Sequence, residues 1–184
     1  MALRCCTPMS FLQRLLGAAK PEASSETETV RRIAARLDRL PYERARHLAA
    51  FAYVLARVAN ADLSISETES DMMLALVRDH SGLSEEEAAL AVEIAKSQAR
   101  LLGGTENYVV TREFREISSR DERVKLIECL CAVAAADGTI AGAESTEIAK
   151  IAEELGFLPE EVVAIRAPWR DKLSQFQGLP AKSS

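Results

Sequence analysis

Cys131-Ala132-Val133-Ala134-Ala135-Ala136-Asp137-Gly138-Thr139-Ile140-Ala141-Gly142-Ala143-Glu144 reads as the end of a buried helix, a tight acidic turn and the first turn of another helix. The chain contains this pattern twice. A shift of 75 positions lays Leu55, Val58, Ala59, Ala61, Asp62, Ile65 and Glu69 on Leu130, Val133, Ala134, Ala136, Asp137, Ile140 and Glu144. Self-similarity at a fixed separation marks units that cannot bury their apolar faces alone. Two copies predict an all-α bundle of two pseudo-symmetric helix-turn-helix repeats, each with an acidic turn.

Composition agrees with that fold class. The chain has 184 residues, of which 48% are hydrophobic and only 5% aromatic. Abundant Ala, Leu, Glu and Arg favour helix, and no alternating run of useful length predicts a strand. The net charge of −5, with no large basic block, argues against nucleic acid as a partner. No apolar run approaches a membrane span, and the Met1 tail lacks the apolar region and cleavage site of a signal peptide. A cytoplasmic setting is the expectation. Of four cysteines, Cys5 and Cys6 are adjacent, and Cys129 and Cys131 stand two apart on a predicted helix. Neither pair has zinc-ligand spacing, so all are read as reduced, with Cys131 a small core residue.

Three regions follow along the chain. Residues 1–25 are expected to form a flexible tail with a short amphipathic segment, Met9 to Gly17. Residues 26–175 form the helical domain, and residues 176–184 a disordered end. Within the domain, Thr27 to Leu40 spaces Val30, Ile33, Ala34 and Leu37 at helical intervals. Pro41 starts a long helix to about Ala61, with Leu48, Phe51, Ala52, Leu55, Val58 and Ala59 on one stripe. Ser66 with Glu69, and Ser84 with Glu87, have capping-box spacing at the next two helix starts. Glu85-Glu86-Glu87 reads as a solvated helix start, and Met72-Met73 as core filling. Ser81-Gly82 ends one helix, and Gly103-Gly104 the next. Thr105 to Val110 carries no clear pattern, and Thr111 is expected to cap a short helix with Phe114 and Ile117. Asp121 opens the second long helix. Pro159 begins a last helix facing Val162, Val163 and Ile165 inward, which Pro168 breaks, with Trp169 packed over its end.

The acidic turns carry the only candidate chemistry. Asp137-Gly138-x-Ile140-x-x-x-Glu144 has the spacing of the second half of an EF-hand calcium loop, in which an aspartate, a glycine, an apolar anchor and a helix-borne glutamate surround the ion. The first half is absent. The earlier ligand positions fall on Val133 and Ala135, and on Val58 and Asn60 in the other copy. One turn offers about four oxygens where calcium takes roughly six to eight. If both turns meet, Asp62, Glu69, Asp137 and Glu144 would pool four carboxylates around calcium or magnesium. Oxygen donors favour those hard ions, and no organic cofactor is expected.

A plainer reading stands beside it. Aspartate at a helix junction commonly caps, and acids in a first turn favour the helix dipole. Ser66 gives Glu69 such a role. Glu144 lacks it, because Ala141 occupies the matching cap position. Leu63 stands where Gly138 stands, so the first turn is expected to differ in backbone. His47 and His80 have no Cys or Ser partner at suggestive spacing. No phosphate loop, nucleophile elbow or HExxH is present, so no enzyme is expected.

At the paired turns the sequence resembles the TerB (tellurite resistance protein B) family, whose relatives include the N-terminal domain of a membrane-anchored DnaJ-like co-chaperone. The resemblance rests on Ala134-Ala135-Ala136-Asp137-Gly138-Thr139-Ile140 with Glu144, and on Ala59-Asn60-Ala61-Asp62-Leu63-Ser64-Ile65 with Glu69. The helix entries Gly82-Leu83-Ser84-Glu85-Glu86 and Gly156-Phe157-Leu158-Pro159-Glu160-Glu161 extend it to roughly residues 26 to 170. It implies an all-helical two-repeat fold and a divalent-metal-binding acidic surface at Asp62, Glu69, Asp137 and Glu144. It also implies protein partners near the inner face of the membrane and a role in tellurite or chemical-stress response. The leading expectation is a non-enzymatic protein that binds a divalent cation weakly and docks protein partners. The runner-up is a metal-free, co-chaperone-like interaction module.

Overall fold

In the structure, a computed structural model, residues 24–59, 67–99 and 107–176 are described. They form eight α-helices and no paired strands: α1 Ser24–Leu37, α2 Tyr42–Ala59, α3 Glu67–Ser81, α4 Glu85–Ala99, α5 Asn107–Ile117, α6 Arg120–Ala134, α7 Gly142–Glu154 and α8 Pro159–Arg166. Two 3-10 turns follow, Ala167–Lys172 and Ser174–Phe176. The expected N-terminal segment Met9 to Gly17, the Gly103-Gly104 stop, the first acidic turn and the end from Gln177 lie outside the described residues.

α2 is the centre of the bundle. It packs against α4, α5, α6 and α7, and α1 lies on the outside of α4. The expected single apolar stripe understates it. Every residue from His47 to Ala56 is buried, whichever way it points. The run Leu48-Ala49-Ala50-Phe51-Ala52-Tyr53-Val54-Leu55-Ala56 explains this, since a helix apolar all round belongs in a core. Its alanines let neighbouring helices approach closely. Each of the larger side chains contributes about 1.5–3 kcal/mol on burial.

The shift that aligns the sequence copies also aligns their elements. It carries the end of α2, Ala59, onto the end of α6, Ala134, and the start of α3, Glu67, onto the start of α7, Gly142. Contacts between the halves are reciprocal: α3 packs on α6, and α7 packs on α2. Leu55 and Leu130 are both fully buried.

Helix ends follow the sequence closely. Gly82 and Gly156 stop α3 and α7 at positive φ, 72° and 85°. The Ser84–Glu87 capping box forms, with Ser84 N–H donating to Glu87 at 3.0 Å and Glu87 N–H donating to Ser84 Oγ at 3.3 Å. Three expectations fail. Thr111 caps nothing; α5 begins earlier, at Asn107, and places Thr111 fully buried in its middle. Met72 is 48% exposed beside buried Met73, and Val163 is 72% exposed beside buried Val162. Met72 and Val163 are each a sequence neighbour turned about 100° round its helix from the core-facing residue. Cys129 is as buried as Cys131, because α6 is covered on both sides.

Candidate functional site

The second acidic turn is the seven-residue stretch between the end of α6 at Ala134 and the start of α7 at Gly142. Ala135 caps α6, its N–H donating to Cys131 O at 3.0 Å, and Gly138 N–H donates to Ala135 O at 2.9 Å. Gly138 has φ of +98°, a conformation that costs a side-chain-bearing residue about 1–2 kcal/mol. That is the physical need for glycine after Asp137. Asp137 Oδ1 accepts a 3.0 Å bond from Thr139 N–H, closing the bend with its own side chain. Ile140 is fully buried, the anchor its spacing foretold. Its backbone N–H donates to Lys172 O at 2.7 Å, and its carbonyl accepts from Ser174 N–H at 3.1 Å.

Glu144 corrects the sequence argument. Its Oε2 accepts a 2.8 Å bond from Ala141 N–H, the N-cap amide of α7. This is the backward half of a capping box, which needs no side-chain oxygen on the cap residue. Ala141 therefore does not deprive Glu144 of a capping role. The same bond recurs from Glu161 to Leu158 N–H at 2.8 Å and from Glu122 to Ser119 N–H at 2.8 Å.

Of the four proposed ligands, the structure places Asp137 in the turn and Glu144 on the first turn of α7. Asp62 lies outside the described residues. Glu69 falls within α3, but its side chain also lies outside them. Among the described residues no three His, Cys, Asp or Glu side chains gather in a way that holds a metal. As a donor set, Asp137 and Glu144 match a hard cation in chemistry and fall short of one in number.

Behind the turn lies a charged network that sequence reasoning missed. Arg57, near the end of α2, has a side chain only 3% exposed. Its Nη2 meets Glu147 Oε1 at 2.6 Å, and its Nη1 meets Glu154 Oε2 at 2.6 Å and Thr111 Oγ1 at 2.5 Å. One guanidinium thus ties α2 to two successive stretches of α7 and to α5. The signal was visible: an arginine directly after the apolar run Leu48–Ala56, where an unpaired charge would be very costly.

A second cluster surrounds His47, which is buried. Its ring centre lies 5.0 Å from that of Phe114, and its Nε2 is 3.9 Å from Glu122 Oε1. Burial pushes its pKa down, against an upward pull from Glu122. Arg44 grips Glu87 through two bonds of 2.5 and 2.6 Å, so Glu87 is more than a solvated helix start. The Arg44 bond holds the Glu87 carboxyl down at about 2. Burial raises the thiols of Cys129 and Cys131 to about 12, so neither is a thiolate at neutral pH.

Comparison with known proteins gives one match. The family model described as "Tellurite resistance protein TerB" aligns with residues 47–167, from His47 in α2 to Ala167 just past α8. No curated protein and no solved structure matches the chain. No helix among the described residues is long and apolar enough to cross a membrane.

Proposed function

The chain belongs to the TerB family, and from that premise we propose that it is a non-enzymatic binding protein whose paired acidic turns take up one divalent cation weakly. Asp137 and Glu144 would supply one half of the ligand set, and Asp62 and Glu69 the other. Calcium or magnesium suits four carboxylates better than zinc does. The observation that supports this reading is the Asp137–Gly138–Thr139 bend, closed by its own hydrogen bond and pinned by buried Ile140. A preformed loop spends less binding energy on ordering. The proposal extends to docking of protein partners, in the cytoplasm or at the inner face of the membrane, in tellurite or chemical-stress response. The family's association with tellurite resistance motivates that last step.

Thermal unfolding tests the cation. A ligand bound only by the folded state adds about 2.7 kcal/mol at a hundredfold excess over its dissociation constant. Millimolar calcium should raise the melting temperature and chelator should reverse it. Asp137→Asn with Glu144→Gln should abolish the rise. The corresponding Asp62 and Glu69 changes should weaken it less, because Leu63 replaces the glycine of the turn. A melting temperature indifferent to calcium and magnesium would rule the reading out.

One observation favours a second reading, a metal-free interaction module. Glu144 already has a structural task at the N-terminus of α7. On that reading partner binding is the whole function. Pull-downs with and without chelator should then return the same partners, whereas the cation reading expects them to differ.

A further inference from the structure

Beyond α8 the chain does not leave the bundle. Its last described stretch, Ala167–Phe176, crosses back to the acidic turn. Leu173 forms a parallel β-bridge with Ile140, made of the Ile140 N–H to Lys172 O bond at 2.7 Å and the Ser174 N–H to Ile140 O bond at 3.1 Å. Leu173 is buried with the core, only 8% exposed. The stretch is anchored at its other end as well. Half-buried Trp169 meets the His80 ring edge-on at 5.8 Å on α3, and the preceding Arg166 donates to Ser145 Oγ on α7 at 2.6 Å.

We propose that this strap is a latch on the second acidic turn. It fixes Ile140 and, through it, the bent backbone of Asp137, Gly138 and Thr139. Its docking is linked to cation uptake there, a linkage that rests on the cation reading above. Gly138 donates to Ala135 and Thr139 to Asp137, both inside the turn. Ile140 is bonded to a separate part of the chain. Glycine at positive φ has other conformations open to it, and bonds inside a short turn reduce them only partly. A cross-chain bridge at a buried residue adds a restraint from outside the turn, so an undocked strap leaves the turn freer to open locally. If the latched turn is the form that takes the cation, linkage is reciprocal: the cation favours the docked strap, and the docked strap favours the cation.

One substitution cuts the latch with little else. Leu173 sits at φ −66° and ψ 123°, the extended region that a residue before proline prefers. Ser174 opens a 3-10 turn, where proline fits. Ser174→Pro therefore keeps the local backbone and deletes the N–H that bonds to Ile140. Leu173→Ala is the companion variant, removing the buried side chain and no backbone donor. Amide hydrogen exchange on the full chain reads the result. Both variants should speed exchange at Ile140 and Thr139 at least tenfold, while Ile127 and Leu130 in α6 stay protected. Unchanged exchange at Ile140, or equal acceleration along all of α6, would overturn the latch. Calcium titration supplies the second arm. Ser174→Pro should weaken calcium binding several-fold relative to wild type, and an unchanged affinity would overturn the linkage. Should wild type bind no calcium, the cation reading and the linkage both fall, and the exchange rates alone decide the latch.

Discussion

Glu144 is the residue at which the two functional readings separate. Its carboxylate accepts the Ala141 amide, and it is also the helix-borne acid that a cation would use. Glutamine keeps an acceptor for that amide and loses the charge, whereas alanine loses both. Glu144→Ala should cost about 0.5–1.5 kcal/mol in urea unfolding, with Glu144→Gln close to wild type. If calcium binds, both variants should weaken it. Glu144→Gln binding calcium as wild type does would leave the carboxylate with capping alone. The His47 cluster makes a separate prediction. His47 is depressed by burial, and Glu87 is held down at about 2 by Arg44. A depressed histidine withholds nothing above its unfolded pKa of about 6.5, and costs stability as pH falls below it. A depressed carboxylate contributes fully above its unfolded value near 4.5, and that contribution is lost as pH falls toward 2. The melting temperature should therefore hold near neutrality and fall in two stages on acidification. His47→Leu should remove the upper stage and leave the lower. An unaltered profile in that variant would show that His47 is not the group responsible.

Among the elements, α2 and α7 are joined by Arg57, which nothing in the repeat foretells, since its counterpart in the second copy is Ala132. Removing one member of a buried ion pair strands the other. Arg57→Met should cost about 3–5 kcal/mol, and adding Glu154→Leu should recover most of it. Denaturant unfolding measures both, and a double variant no more stable than the single would contradict the pairing. The elements also show what the sequence made legible. Helix starts and stops were readable where a local chemical rule fixes them, as at Ser84 with Glu87, Pro159, Gly82 and Gly156. Facing was readable where apolar spacing is clean, as at Ile33 and Leu37, and misread at Met72 and Val163. There two apolar residues adjoin, and the partner helix decides which is covered. The start of α5 was misplaced because Thr111 looks like a cap, and its true partner, Arg57, lies 54 residues earlier in the chain. Long-range ion pairs leave no local spacing to read. The candidate site divides the same way: Gly138 and Ile140 are set by local backbone need, whereas the strap on Ile140 comes from a remote segment.

At the scale of the whole molecule, the repeat in the sequence leads one to expect Leu55 and Leu130 to be equivalent core positions. Both are fully buried, one on α2 and the other on α6. Leu55→Ala and Leu130→Ala should each cost about 2–5 kcal/mol and unfold the bundle in one transition. A near-neutral effect at either would break the equivalence. The proposed function has the two acidic turns of this TerB-family bundle acting as one weak cation site. Four carboxylates held close would repel one another without an ion, so the site should relax on binding and respond to loss of either half. Isothermal titration calorimetry with calcium and with magnesium, on wild type and on Asp137→Asn/Glu144→Gln, tests this most directly. The account predicts saturable binding below the millimolar range in wild type and none in the double variant. No saturable heat in wild type, or the same isotherm in both proteins, would contradict it.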